Sequence, residues 1–524
     1  MAHLDLQDAL SALDALELRR YALRYGMISA LWLAETADPA ACAHNRGEAM
    51  ATLQEDDRQL LCGDEGQAIV AQLETRKSQL DFFRAAQLRV MNRDQQEQLR
   101  IPTQLAGRIA RLASEATDAW KRAKQKDCWD DFAPYLDQLV AASKEMALAL
   151  NPKADPYDTL LDLFEHGTSR AFYDAFFDQL KATVVPLVAA VAKAPQLSNE
   201  CVRGYFDPSV QWELSRDLAT TEGVDPQKLV LGQTEHPFSD AIDSQHVFIA
   251  THIYPDDLLS NVFSMLHEGG HAMYEAGVDP AYDLTCLHGG TSMGMHEAQS
   301  RFFENLVGRD RAYAKPLLAL LASHFPEQLS DVTSDEFFLA ANRVEPSLVR
   351  TEADELSYPL HIMVRYEIEK QLFDGSPTAA QVPDAWAELY RSYLGVEVPD
   401  NRRGALQDVH WSQASFGYFP TYALGSAYGA QLLHALKASL AADGTSWEEV
   451  LASGNLAPVR AWLKDHIWRW GRAKESAQLI LEATGEPFDA HFYCDYLAEK
   501  YIRLYSLNPL ILDPKLQDDH PAHV

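Results

Sequence analysis

Apolar residues recur at spacings of three and four along most of the chain, which is the pattern of helices that bury one face. Pro or Gly lies near many ends of these runs, as expected where helices stop. No strand-helix alternation is visible, which argues against a doubly wound α/β fold. The pattern predicts an all-α, mainly helical fold with a small minor β-sheet. The predicted helices cover residues 4–25, 67–91, 103–126, 131–150, 169–193, 351–373 and 426–441.

One segment has a different pattern. Residues 245–254, QHVFIATHIY, are rich in β-branched and aromatic side chains and stop at Pro255, which predicts a strand. At the edge of a sheet, such a strand could pair with the backbone of an extended peptide. A purely structural strand is an equally good interpretation. Turn residues predict loops over 151–156, 195–199, 234–243, 375–383 and 399–404.

The chain shows no internal repeat, low-complexity tract or flexible linker. The candidate chemistry described below spans residues 236–422, with helical sequence on both sides. We therefore predict one catalytic domain over residues 1–507, with two helical lobes that flank a deep active-site cleft. Residues 508–524 contain three prolines and little periodicity, and we interpret them as a C-terminal tail.

The formal net charge is −31, and no strong basic patch is present, so neither nucleic acid nor an anionic membrane is an expected partner. No apolar run reaches the length of about 20 residues that spans a bilayer. The first residues, MAHLDLQD, lack the basic region of a secretory signal. The six cysteines show no CxxC spacing, which favours reduced thiols in the cytoplasm.

The strongest chemical motif is His267-Glu268-Gly-Gly-His271. Positions i and i+4 of a helix lie on one face, so both imidazoles can reach one metal ion, while Glu268 can hold a water molecule beside it. Apolar residues on a helical period flank the motif, and the helix is expected to end near Gly277. This is the geometry of a zinc hydrolase.

Two glycines in the middle of this helix are unusual, because each costs about 1 kcal/mol relative to alanine. We predict that Gly269 and Gly270 allow another backbone or a substrate to approach closely. The alternative is that both are merely tolerated.

A catalytic zinc site has three protein ligands and leaves one position for water. The best candidate for the third ligand is Glu297, which follows His271 by 26 positions and opens another apolar-periodic run. Adjacent helical residues point about 100° apart, so only one of His296 and Glu297 is expected to face the metal. His296 is the second candidate, or else a group behind a ligand or facing substrate.

These assignments lead to a reaction class. The metal would lower the pKa of a water molecule toward about 7, and Glu268 would accept its proton and pass it to a leaving amine. The reaction is then hydrolysis of a peptide or amide.

Several segments together resemble the thermostable carboxypeptidase (Taq carboxypeptidase) family of metallopeptidases, M32. They are HEGGHAMYEAG from residue 267, HEAQSRFFENLVGR from residue 296, ALQDVHW over 405–411 and SFGYFPTY over 415–422. Residues 157–167, 236–238 and 343–355 also look like family segments, so the resemblance covers about residues 1–507.

The resemblance implies a gluzincin-type, homodimeric enzyme that removes C-terminal residues from peptides with broad specificity and acts poorly at proline. It implies one divalent metal ion, Zn²⁺ first, with Co²⁺ or Mn²⁺ possible. Carried over to this chain, the ligands are His267, His271 and Glu297, and the general base is Glu268. The family's Asp-x-Arg-x-Thr element is missing here, where residues 246–252 read HVFIATH, so substrate preference is expected to differ.

Hydrolysis at the C-terminus of a peptide has two further requirements that residues of this chain could meet. Donors must stabilise the negative charge on the attacked carbonyl oxygen, and His410, Tyr418 and Tyr422 are suitable. Either tyrosine alone is more typical of core packing, but the family pattern favours His410 with at least one tyrosine. A guanidinium suits a terminal carboxylate, and Arg350 is the candidate. His236 is a weaker substrate-side candidate, since a lone histidine is usually just packed.

For Arg350 the alternative is an ion pair with an acidic neighbour, Glu352, Asp354 or Glu355. For the whole chain we keep two alternatives to a carboxypeptidase: an oligopeptidase that cleaves internal bonds, and a catalytically idle peptide-binding scaffold. The presence of Glu268 together with all three candidate ligands argues against the scaffold.

Overall fold

The computed structural model describes residues 5–37 and 39–512 and is mainly helical, as the periodicity predicts. Leu4, where the first helix was expected to begin, and residues 513–524 of the predicted tail lie outside the described residues. In the first half of the chain the helices are α1 (Leu6–Thr36), α2 (Ala43–Cys62), α3 (Asp64–Glu74), α4 (Phe82–Arg100), α5 (Thr103–Lys126), α6 (Ala133–Leu150), α7 (Pro156–Phe164), α8 (Arg170–Val191), α9 (Pro208–Glu222) and α10 (Leu258–Gly277).

The second half of the chain is helical as well. Phe302–Val307 continues the α-helix Met293–Arg301 as a π-helical segment, in which each turn is wider than in an α-helix. The remaining helices are α11 (Met293–Arg301), α12 (Ala314–His324), α13 (Pro326–Leu329), α14 (Ser334–Ala341), α15 (Tyr358–Asp374), α16 (Val382–Leu394), α17 (Pro420–Ala442), α18 (Trp447–Ala452), α19 (Ala457–His466), α20 (Ser476–Thr484) and α21 (His491–Leu504).

The chain divides into two compact units, each assembled from three segments. Unit 1 contains Met1–Arg100, Cys201–Ser334 and Leu432–Pro487, and unit 2 contains Ile101–Glu200, Asp335–Gln431 and Phe488–Val524. Among the residues that the structure describes, no helix is both long and apolar enough to cross a membrane. All six cysteines are free thiols.

Unit 1 carries the small sheet, in the order β1-β3-β2. Strand β3 (His246–Thr251) runs parallel to β1 (Leu229–Gln233) and antiparallel to β2 (Phe238–Asp243). The strand predicted at 245–254 therefore exists, but it is central, so its interpretation as an edge strand is wrong. Part of the predicted loop 234–243 is instead β2, which is an edge strand.

The sheet has helices packed against it, and α10 contacts both β2 and β3. From α1, the Trp32 ring lies 5.6 Å from that of Phe238 and 5.0 Å from that of Phe248. A side chain at Gly232 would meet Trp32 at 2.7 Å, so this glycine makes room for the indole. Phe248 lies at the place where the family has its Asp-x-Arg-x-Thr element. In this chain it is a core residue of unit 1.

One long predicted helix is interrupted. The pattern predicts a single helix over 67–91, whereas the structure has α3 and α4 with a short irregular connection between them. Asp81 accepts a hydrogen bond from the backbone N–H of Arg84 at 2.8 Å, which satisfies a free donor at the start of α4. A local side-chain bond of this kind starts a new helix without disturbing the apolar period.

Candidate metal centre

The HEGGH motif lies in the middle of α10, as predicted. The helix begins after Asp257, whose carboxylate accepts a hydrogen bond from the backbone N–H of Ser260 at 3.1 Å. Its first turn is tied to the sheet by Asn261, which accepts a bond from the Thr251 hydroxyl at 2.9 Å. The helix that carries both histidines is therefore fixed at its start by an exposed cap and a buried polar contact.

The structure explains the two glycines of the motif. A Cβ atom at Gly270 would lie 2.5 Å from the carbonyl oxygen of Gln299 and 2.7 Å from the Cα atom of Ser300, so α11 approaches α10 backbone to backbone. A Cβ atom at Gly269 would overlap the carboxyl group of Glu222. The predicted close approach of another backbone is thus confirmed at Gly270, whereas the neighbour of Gly269 is a side-chain carboxyl group.

Glu297 is brought to the same place by α11, which begins after Ser292 as its N-cap. Its Oε2 atom lies 3.8 Å from Nε2 of His267 and 3.6 Å from Nε2 of His271. Its other oxygen, Oε1, accepts a hydrogen bond from Nε of Arg301 at 2.7 Å. One carboxylate oxygen is therefore left to face the two imidazoles.

This donor set fits a divalent cation. His267, His271 and Glu297 each offer one ligand atom, and the three atoms lie within 4.8 Å of one another. Two imidazole nitrogens and one carboxylate oxygen form a ligand set of catalytic zinc sites, in which one position stays open. The Nδ1 atom of His267 is also bonded, to Oε2 of Glu304 at 2.9 Å, which orients the ring.

The carboxylate behind His267 is ionised. Burial opposes the charge on Glu304, but Arg301 and His267 outweigh it and lower the pKa of this carboxyl to about 2. Arg301 also donates to Oε2 of Glu304 at 3.0 Å, so one guanidinium connects Glu304 with Glu297. Burial opposes the protonation of His267, but Glu297 and Glu304 outweigh this effect and raise the pKa of the ring.

Glu268 is 6% exposed, and its side chain bonds Ser239 of the edge strand β2. Burial raises the pKa of the Glu268 carboxyl, and the neighbouring His267 opposes this rise. A carboxylate with a raised pKa accepts a proton from water more readily than an exposed one.

His296, the second candidate for the third ligand, lies behind His271. Its Nδ1 atom is 2.7 Å from Nδ1 of His271, and its Nε2 atom is 2.7 Å from Oε1 of Glu275. A cavity of about 190 Å³ opens here and is lined by both histidines, by Glu275 and by residues 239–242 of β2.

The candidate oxyanion donors lie in unit 2. Nε2 of His410 is 3.2 Å from the Tyr422 hydroxyl, and the Tyr418 ring stacks on the imidazole at a centroid distance of 5.6 Å. Burial lowers the pKa of His410 to about 4, so the ring is neutral at neutral pH. Its Nδ1 atom is buried and has no hydrogen bond among the described residues.

Arg350 belongs to the same cluster, and its partner differs from the predicted ones. The guanidinium is 3.0 Å from Oδ1 of Asp408 and 5.1 Å from the centroid of the Tyr422 ring. The alternative of an ion pair with Glu352, Asp354 or Glu355 is thus wrong in its choice of partner. Asp354 instead accepts bonds from Ser357, and Glu355 binds the side chains of Tyr496, Lys500 and Tyr501.

Asp408 also binds Arg365, a fully buried guanidinium, at 2.5 Å. Burial disfavours the carboxylate, but Arg365 and Arg350 hold its pKa far below the usual range. Two cations share one anion, so these three side chains carry one uncompensated positive charge.

The remaining candidate, His236, is exposed in the loop between β1 and β2 of unit 1. Sequence reasoning missed Glu304, Glu275 and Ser239 as neighbours of the motif. A signal existed for the first two, because Glu275 stands four residues after His271 and Glu304 seven after Glu297, which are same-face spacings on a helix. No sequence signal existed for Ser239, because it is distant from Glu268 along the chain and contacts it only in the folded protein.

Comparison with known proteins identifies the family of the chain. The profile of the carboxypeptidase Taq (M32) metallopeptidase family matches residues 18–501. "Carboxypeptidase 1" of Bacillus subtilis is 34% identical over 477 residues, which cover 91% of this chain and 94% of that protein. "Thermostable carboxypeptidase 1" of Thermus thermophilus is 37% identical over 417 residues, 77% of this chain and 80% of that protein.

A solved structure shares the fold. The crystal structure of an M32 carboxypeptidase from Deinococcus radiodurans R1 superposes with a TM-score of 0.90 at 31% identity, and covers 95% of this chain and all of that one. The chain therefore belongs to the carboxypeptidase Taq (M32) metallopeptidase family, which makes it a metal-dependent carboxypeptidase.

Proposed function

We propose that the protein removes C-terminal residues from peptides with broad specificity, with Zn²⁺ held by His267, His271 and Glu297. The observation that carries this proposal is the convergence of these three ligand atoms within 4.8 Å, with Glu268 beside them. Imidazole and carboxylate donors also suit Co²⁺ and Mn²⁺, so elemental analysis of the purified protein identifies the native ion.

When bound, the ion supplies a Lewis acid that polarises the scissile carbonyl and acidifies the attacking water. Glu268 accepts the proton of that water and passes it to the nitrogen of the departing amino acid. Its raised pKa supports both steps, since the carboxyl group must take a proton and then release it. Ser239 orients the carboxylate through its side-chain bond.

The proposal extends to the cluster in unit 2. His410, Tyr418 and Tyr422 supply hydrogen-bond donors for the carbonyl oxygen as it gains negative charge. The supporting observation is that neutral His410 is bonded to Tyr422 through Nε2, so the hydroxyl and the imidazole orient each other.

Arg350 is proposed to bind the substrate's terminal carboxylate. Its positive charge is only partly neutralised, because Asp408 is shared with Arg365. A carboxylate ligand would compensate the surplus charge of this buried cluster. His236 is proposed as a further contact to substrate, which its exposure in the β1-β2 loop permits.

A pair of peptides that differ only at the C-terminus tests the proposal. We expect rapid release of the last residue from the free-acid peptide and very slow cleavage of the amidated one, since Arg350 needs a carboxylate to bind. Mass spectrometry identifies the products. Equal cleavage of both peptides, or cleavage at internal bonds, would instead establish the oligopeptidase alternative.

We further propose that the protein acts in the cytoplasm as a homodimer, with peptides rather than nucleic acids or membranes as partners. The six free thiols support the cytoplasm, the net charge of −31 disfavours nucleic acid and anionic membranes as partners, and the family resemblance supports the dimer. Analytical ultracentrifugation of the zinc-loaded protein measures the assembly state, and a monomer at micromolar concentration would refute the dimer.

A further inference from the structure

Both nitrogens of His271 face a polar atom. Nε2 lies 3.6 Å from Oε2 of Glu297, on the side where the metal is proposed to bind. Nδ1 lies 2.7 Å from Nδ1 of His296. Two imidazole nitrogens at this distance form a hydrogen bond only if one carries a proton and the other offers its lone pair. The protonation pattern of this pair therefore decides whether His271 can bind a metal ion.

The direction of that bond follows from the next contact. Nε2 of His296 lies 2.7 Å from Oε1 of Glu275. An ionised carboxylate only accepts hydrogen bonds, so Nε2 of His296 must carry the hydrogen. The same carboxylate accepts a second bond from the backbone N–H of Gly290 at 3.1 Å. A metal ion on Nε2 of His271 leaves the hydrogen of that ring on Nδ1, so Nδ1 of His296 must be the acceptor between the two rings.

This assignment leaves the lone pair of His271 on Nε2, which is the nitrogen that faces Glu297. The opposite assignment would place a hydrogen on Nε2 of His271 and prevent it from binding a cation. His267 also has its Nε2 lone pair directed at Glu297, because its Nδ1 atom is bonded directly to Glu304 at 2.9 Å. The two candidate ligands thus differ: one is bonded directly to a carboxylate, and the other through an intervening imidazole.

The surroundings of His296 hold its ring in place. The Tyr274 ring packs at a centroid distance of 5.2 Å on one side, and the His271 ring lies at 4.7 Å. A Cβ atom at Gly290 would stand 2.5 Å from Cδ2 of His296 and 2.8 Å from the Tyr274 ring. The backbone at Gly290 therefore closes over both rings, and a larger residue would displace them.

We propose that His296 and Glu275 form a relay that fixes His271 as the tautomer with its Nε2 lone pair directed at the metal. His296 is a positioning residue, and the inference rests on the metal centre proposed above. Groups that orient metal ligands in this way typically contribute about 10- to 100-fold to metal affinity. The relay adds this contribution without touching the metal or the substrate.

The test compares His296→Asn with His296→Leu, two side chains of nearly the same shape. Asn can place its Oδ1 atom near the position of Nδ1 and accept the hydrogen bond from His271, whereas Leu cannot. We expect His296→Leu to weaken Zn²⁺ binding about 10- to 100-fold in competition with a chelator, while His296→Asn retains most of the affinity. The thermal midpoints of the metal-free variants should match that of the metal-free wild type.

Equal zinc affinity of His296→Leu and the wild type would overturn the relay while leaving the metal centre intact. If the wild type bound no stoichiometric Zn²⁺, or if His267→Ala bound it as tightly, the metal centre itself would fail. Neutron diffraction from the zinc-loaded wild type gives an independent answer, even if a variant does not fold. We expect hydrogens on Nδ1 of His271 and Nε2 of His296; hydrogen on both nitrogens of His296, or none on Nε2, would refute the relay.

Discussion

The candidate metal centre of unit 1 and the arginine cluster of unit 2 are both built from charged side chains and imidazoles, which they use in opposite ways. In unit 1, each imidazole has one nitrogen bonded to a supporting group and the other directed at Glu297, so the three ligand atoms face one another. In unit 2, Arg350 and Arg365 both turn toward Asp408, and His410 turns toward Tyr422. The first cluster has a place for a cation, and the second carries a surplus positive charge.

The difference shows which observations identify a ligand site. Charged residues alone do not, because both clusters are buried and charged. What separates them is the sign of the charge: oxygen and nitrogen acceptors face one another in unit 1, whereas two guanidiniums share one carboxylate in unit 2. The first cluster therefore suits a cation, and the second suits an anion. Variants can test this contrast, beginning with the largest expected effect.

Glu268→Gln should lower the rate of peptide hydrolysis about 100- to 10,000-fold, because the amide cannot accept the proton of water. Zinc content should be unchanged, since Glu268 is not among the three converging ligand atoms. The matched control is Glu222→Gln in α9, whose buried carboxyl group packs against α10 at Gly269. Burial raises the pKa of Glu222 far above its ordinary value, so the neutral amide resembles the native carboxyl group and activity should persist. Full activity of Glu268→Gln would disprove its role.

Asp408→Asn should destabilise the protein by about 3–5 kcal/mol, because two buried guanidiniums lose their shared carboxylate. Arg350→Met should cost far less, since Arg365 and Asp408 remain as a balanced pair. Denaturant unfolding of both variants measures the difference. If Arg350→Met were the more destabilising, the cluster would not carry the surplus charge inferred here.

Arg350→Met should also raise KM for a peptide with a free C-terminus by about 10- to 150-fold, which corresponds to the loss of a charge-assisted contact worth about 1.5–3 kcal/mol. The slow cleavage of the amidated peptide should change little, because that substrate has no carboxylate to lose. Steady-state kinetics with the two peptides separates the effects. An equal loss on both substrates would show that Arg350 does not recognise the terminus.

Gly270→Ala should destabilise the protein by about 1–3 kcal/mol, because the added methyl group meets the backbone at Gln299 and Ser300. Gly107→Ala in α5 is the control, since a Cβ atom there would meet only the Arg111 side chain, at an ordinary contact distance of 3.8 Å. Alanine should stabilise that helix by about 0.5–1 kcal/mol. Thermal unfolding compares the two variants, and effects of the same sign would contradict the close-approach explanation.

The apolar periodicity predicted those features of the fold that depend only on residues close together in sequence. The extent of α5 and the central position of HEGGH within α10 follow from spacing alone, and so does the shared face of His267 and His271. The pairing of β3 did not follow, because a strand's neighbours depend on segments elsewhere in the chain. β2 was missed because its sequence, FSDAID, lacks a regular alternation of apolar and polar residues and follows a proline, a pattern typical of a loop.

Side-chain partners that are distant in sequence were the second feature that could not be predicted. Arg350 stands 58 residues from Asp408 in sequence, while three acidic residues lie within five positions of it, so proximity along the chain favoured the wrong partners. Relay members such as Glu275 and His296 were within reach of helical geometry. Their function was not, because it depends on which nitrogen of each ring faces which neighbour.

The π-helical segment Phe302–Val307 places a constraint on chain length. Glu304 lies within it and must face His267, while Glu297 on the preceding helix must face the same ring from the other nitrogen. Removal of a single residue between the two glutamates would rotate the later one by about 100° around the helix axis. Among relatives with this arrangement, insertions and deletions should therefore be rare across residues 297–304, even where substitutions are accepted.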